Sequence, residues 1–103
     1  MYFATWKPAA DIFFSGNQWL IRVELAGVAP EEVQVLARGK ELTIRGRRRD
    51  LRVQRGFVCH ALEITYSDFE RSISLPARIV VPGIRLEFQE GILNIYLTTD
   101  NYQ

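Results

Sequence analysis

Apolar and polar residues alternate along most of this chain, the period expected of strands that bury one face. In QWLIRVELA, Trp19, Ile21, Val23 and Leu25 share one side, and Arg22 and Glu24 take the other. VQVLARG sets Val33, Val35 and Ala37 against Gln34 and Arg38. ELTIR pairs Leu42 with Ile44, LEITY aligns Leu62, Ile64 and Tyr66, and ISL joins Ile73 to Leu75. RLEF places Leu86 with Phe88, and ILNIYL places Leu93, Ile95 and Leu97 together. The pattern predicts about eight short strands.

The breaks between these runs carry turn chemistry. SGN at 15–17, RGK at 38–40 and EGI at 90–92 each supply a glycine where a tight hairpin needs positive φ. APEEV at 29–33 is the one helical signal: Pro30 suits a first turn, and Glu31 and Glu32 suit its positive end. It is long enough for a single turn. Regularly spaced strands with glycine turns predict an all-β sandwich, whose edge strands must be covered or used.

With 103 residues the chain has room for one domain. No apolar run approaches the ~20 residues that span a bilayer, and the start, MYFATWKPAAD, lacks the apolar core of a secretory signal. The single cysteine, Cys59, permits no internal disulfide. These features predict a cytoplasmic protein that does not engage a membrane. Net charge is only +1, yet RGRRRDLRVQR at 45–55 gathers six arginines. A nucleic-acid grip and a strand awaiting a partner are the two readings of that segment.

Four motifs in order resemble the alpha-crystallin domain of small heat shock proteins, of the bacterial and plant type. WKPAADIFFSGNQWLIRVELAGVAPEEVQV is similar to the family's opening W-x-P, its Asp-Ile strand and its Leu-Pro-Gly-Val turn. GKELTIRGRR resembles the G-x-L-x-I-x-G-x-R hairpin. YSDFERSISLP resembles Y-G-x-F-x-R-x-x-x-L-P, and IRLEFQEGILNIYL resembles the closing A-x-x-x-x-G-V-L-x-I. Ala26 stands where the family usually has Pro, Ser67 where it has Gly, Leu86 where it has a small Ala, and Thr98 where it has Pro. The resemblance implies an immunoglobulin-like β-sandwich over residues 6–98. It leaves 1–5 as a short N-terminal remnant and 99–103 as a tail without an I-x-I motif.

The resemblance also implies partners. The spacing from Gly46 to Phe69 leaves a long excursion, which in such relatives carries a strand exchanged between subunits. Within the 46–61 loop, 51–58 has the β-formers for it. The expected dimer interface is Leu51, Arg52, Val53, Phe57 and Val58, set against Ile12 and Phe14 on the partner's first strand. Larger homo-oligomers are expected if full-length arms exist. In relatives, a groove between the strands matching 33–38 and 84–88 accepts an added strand. Its expected lining here is Val33, Val35, Ala37, Ile84, Leu86 and Phe88.

The implied function is an ATP-independent holdase, a chaperone that binds unfolding proteins and prevents their aggregation. No phosphate loop G-x-x-x-x-G-K-[ST] occurs. Cys59 and His60 are adjacent, a poor geometry for a nucleophile and its base on a strand. One Cys and one His cannot close a zinc site within one chain. Neither an enzyme nor a cofactor is therefore expected. The alternatives are an adaptor of the related co-chaperone sandwich type and an Arg-rich binder of single-stranded RNA. The long excursion disfavours the first, and the lack of interleaved aromatics among the arginines disfavours the second.

Overall fold

The computed structural model describes residues 6–49 and 55–101. Among the described residues seven strands run in chain order: β1 Ala10–Ser15, β2 Gln18–Glu24, β3 Val33–Arg38, β4 Glu41–Arg47, β5 Asp68–Ser74, β6 Arg85–Gln89 and β7 Ile92–Thr98. A 3-10 turn at Pro30–Glu32 precedes β3, with Pro30 at its start and both glutamates in its first turn. All strand pairs are antiparallel, in a four-stranded sheet ordered β1-β2-β7-β6 and a three-stranded sheet ordered β3-β4-β5.

The hairpin glycines sit where their backbone freedom is needed. Gly16 and Gly39 turn β1 into β2 and β3 into β4 at φ of 61° and 60°. A side chain there would be strained by its own backbone.

Period-2 alternation converts directly into burial. On β2, Trp19, Ile21 and Val23 face inward beside Leu93, Ile95 and Leu97 of β7. Leu42 and Ile44 of β4 and Phe69 and Ile73 of β5 close the core from the other sheet. Each large apolar side chain so enclosed contributes about 1.5–3 kcal/mol relative to exposure. The connection from β5 to β6 continues the alternation, burying Leu75, Ala77 and Ile79. Its backbone is tied by Leu75 N–H to the Lys40 carbonyl and Ile79 N–H to the Gly39 carbonyl, at 2.9 and 2.8 Å.

One predicted strand is not formed. Residues 62–66 have no strand pairing, and Leu62 and Ile64 are exposed. Alternation reports that a segment has an apolar face, not that its own sheet has a free place for it. The outer edge of β5 is instead met by the N-terminal strap, residues 6–8. Trp6 N–H donates to the Asp68 carbonyl at 3.3 Å, and Glu70 N–H donates to the Trp6 carbonyl at 3.2 Å. Arg71, opposite Ile44 on the inward face of β5, fixes the strap further by donating from Nη1 to the Pro8 carbonyl at 3.2 Å.

The strap thus occupies the outer edge of β5 before the chain enters β1. At the opposite border β3 and β6, the terminal strands of their sheets, flank an open cleft.

Candidate functional site

The cleft between β3 and β6 has a volume of about 300 Å³ and is lined by Pro30, Val33, Leu86, Phe88 and Leu93. Leu86 and Phe88 lie opposite Ile95 and Leu93, so both belong to the core-facing side of β6. At the terminal strand, however, no opposing strand covers them fully, and Leu86 remains 50% exposed. The structure thus brings together three of the residues expected in the groove: Val33, Leu86 and Phe88. Val35, Ala37 and Ile84 are partly buried against the core and do not line the cleft. Pro30 and Leu93 were missed from sequence. Pro30 reaches the cleft because its turn leads directly into β3, and Leu93 because it lies opposite Phe88.

A second apolar border follows β1. Ile12 and Phe14 lie opposite Ile21 and Trp19, on the core-facing side, yet stay 40% and 63% exposed. Phe14 stacks on Trp19, with ring centroids 4.9 Å apart and planes inclined by 27°. Phe13, on the other face of β1, is also exposed, near Leu20 and Tyr96.

The excursion between β4 and β5 forms no strand over 55–67, and Phe57, Val58, Leu62 and Ile64 are all exposed on it. Leu51, Arg52 and Val53 lie outside the described residues. Leu62 and Ile64 were not expected to be open to solvent. Their available signal was membership, with Phe57 and Val58, of one apolar-rich stretch without Gly or Pro from 57 to 66. Cys59 and His60 are exposed within the same stretch.

The arginines opening the cluster are engaged within the chain. Arg47 pairs with Asp68 at 2.6 Å, and Arg49 with Glu32 at 2.9 Å. Arg45 Nε donates to Gln34 Oε1 at 3.2 Å. Arg48 donates from Nε to the Thr65 carbonyl at 2.8 Å and from Nη1 to the Ala26 carbonyl at 3.2 Å. The Asp68 carboxyl is held below its ordinary range, chiefly by the hydrogen bond from Arg47, against an opposing effect of desolvation, with the Arg47 charge a lesser lowering influence. The charges of Arg47 and Arg49 are thus matched by carboxylates of the same chain. A surface with its cations already matched by acids is a poor collector of phosphates.

Among the described residues no cluster of three His, Cys, Asp or Glu side chains could hold a metal ion. No helix there is long and apolar enough to cross a membrane. What the geometry offers is exposed apolar surface beside sheet edges, suited to accepting extended polypeptide.

The sequence profile described as Hsp20/alpha crystallin family matches residues 11–103. Small heat shock protein C2 of Rickettsia felis is 33% identical over 88 residues, covering 85% of this chain and 57% of its own length. Small heat shock protein HspA of Bradyrhizobium diazoefficiens is 33% identical over 97 residues, covering 94% of this chain and 60% of its own. The chain thus spans somewhat over half the length of these relatives. Among solved structures, heat shock protein 16.0 from Schizosaccharomyces pombe superposes with a TM-score of 0.85 at 29% identity, covering 95% of this chain and 92% of that one. A small heat-shock protein from Xylella fastidiosa, described as having a distinct high order structure, gives 0.79 at 26% identity, covering 97% and 92%. A profile match over most of the sequence, joined to this two-sheet topology, settles the classification: the chain belongs to the Hsp20/alpha crystallin family.

Proposed function

We propose that this domain is an ATP-independent holdase that captures unfolding polypeptides on the apolar borders of its sandwich. The observation that carries the reading is Leu86: a large apolar side chain, half exposed, over a cleft flanked by two terminal strands. An extended client segment could add its backbone to an open edge and press apolar side chains against Val33, Leu86 and Phe88. Val35, Ala37 and Ile84 would support that wall from beneath. Family membership favours this reading over the co-chaperone adaptor, and the paired arginines favour it over RNA binding.

We further propose a homodimer built by strand exchange. The exchanged segment would comprise 51–58, prolonged by the exposed apolar-rich stretch to Ile64, and would pair with β1 of a second copy. Phe57 and Val58 would then cover Ile12 and Phe14, all four of which are exposed in the single chain. Each new backbone hydrogen bond would add about 0.5–1.5 kcal/mol net, so several would support a specific pair. Binding by capture needs no catalytic group or cofactor. A reducing, cytoplasmic setting fits the exposed free thiol of Cys59.

A heat-labile client protein, followed by light scattering with and without ATP, tests the function, with a mobility-shift assay on single-stranded RNA run beside it. The expected result is suppressed scattering that ATP does not alter, and no RNA shift. Unprotected client together with a salt-sensitive RNA shift would overturn the proposal in favour of the nucleic-acid reading.

A further inference from the structure

Arg48 is set apart from its neighbours by what it touches. Arg47 and Arg49 meet carboxylates, whereas Arg48 meets two backbone carbonyls and an aromatic ring. It stands where the excursion leaves β4, and it reaches Trp6, Ala26, Thr65 and Ser67. Its amide donates to the Ser67 carbonyl at 3.0 Å and its Nε to the Thr65 carbonyl, so it ties the departing foot of the excursion to the returning one. Nη1 extends to the carbonyl of Ala26, in the turn that follows β2 of the other sheet. The guanidinium carbon lies 3.9 Å from the centroid of the Trp6 ring.

Trp6 in turn is the anchor of the strap. Its ring meets Phe69 edge-on, with centroids 5.3 Å apart and planes at 68°, and its backbone bridges to Asp68 and Glu70. The adjoining turn is shaped to admit Arg48. Gly27 has φ of +81°, and a Cβ there would stand 3.4 Å from Arg48 Cδ.

We propose that Arg48 is a clasp that makes the N-terminal strap and the feet of the excursion release together. The chemistry calls for arginine. A planar fork can send separate N–H groups to two carbonyls while its face rests on an indole, and the point charge of lysine cannot reproduce this. Because one side chain serves both segments, displacing Trp6 removes the surface that orients the guanidinium, and the grip on Thr65 weakens. Conversely, losing the guanidinium uncovers Trp6 and loosens the strap. Linkage requires the two effects to be reciprocal. Displacement of the polypeptide preceding Trp6 would thereby free the segment bearing Phe57, Val58, Leu62 and Ile64. Every contact of the clasp lies within one chain, so it stands or falls independently of strand exchange.

Amide hydrogen exchange on the full chain tests this, using Trp6→Leu, which keeps an apolar side chain without the aromatic face, and Arg48→Lys, which keeps the charge without the fork. In Trp6→Leu, exchange at the Arg48 amide should quicken by about fivefold or more. In Arg48→Lys, the Trp6 and Glu70 amides should quicken by a similar factor, while the core amide of Ile95 is unchanged in both. The double variant should exceed the stronger single variant by less than about twofold, as expected of coupled groups. Exchange at Trp6 and Glu70 that is unaffected by Arg48→Lys would overturn the clasp. Equal acceleration at Ile95 would do the same, since it would show general destabilisation instead of a joint release.

Discussion

Gly46 shows how little slack a single position can have. It lies opposite Val33 in the register of β3 with β4, and a Cβ there would collide with the Glu32 carbonyl and stand 2.9 Å from Phe69 Cζ. Gly46→Ala should therefore cost at least about 2 kcal/mol through overpacking, read as a lower urea midpoint. The neighbouring Arg47–Asp68 pair carries a pH signature. The lowered Asp68 titration means that its charged form is favoured by the fold. That contribution is present above the ordinary carboxylate range and is lost as pH falls through the lowered folded value. Arg47→Ala should return the Asp68 midpoint toward 3.8, followed by carboxyl-carbon NMR titration. An unmoved midpoint would show that Arg47 is not the cause.

At the scale of elements, the proposed exchange makes the excursion the segment whose role depends on a second copy. Phe57→Asp, or deletion of 51–58, should yield a folded monomer by light-scattering mass, because β1 would lose the strand proposed to cover it. Unchanged dimer mass would reject that segment as the exchanged one. The hairpins and their strands were legible from sequence because both signals are local: alternation marks the inward face, and glycine marks the turn. Residues 62–66 were misread for the same reason. Their alternation is as clear as that of β2, but Trp6 meets the β5 edge, a fact held by residues about sixty positions away. The groove was half legible. Val33, Leu86 and Phe88 were named from the resemblance, which sets a groove between 33–38 and 84–88, whereas Leu93 enters only because it sits opposite Phe88 across the β6–β7 hairpin.

For the whole molecule, the borders of the sandwich differ in kind. The strap covers the outer edge of β5, held by Trp6, Pro8 and Arg71. The border between β3 and β6 stays open and apolar, and β1 presents exposed aromatic residues along its free edge. An exposed apolar edge promotes aggregation unless it is used, and the proposed use is temporary capture of damaged polypeptide. Leu86→Asp should weaken protection of a heat-labile client severalfold while costing about 1–2 kcal/mol of stability, since the side chain is half in solvent already. Photo-crosslinking during heat challenge locates the capture surface itself. A benzophenone side chain placed at Leu86 should attach to the unfolding client, and one placed at Glu41, exposed on the outer face of the opposite sheet, should not. Client attached equally at both positions, or only at Glu41, would contradict capture at the open border.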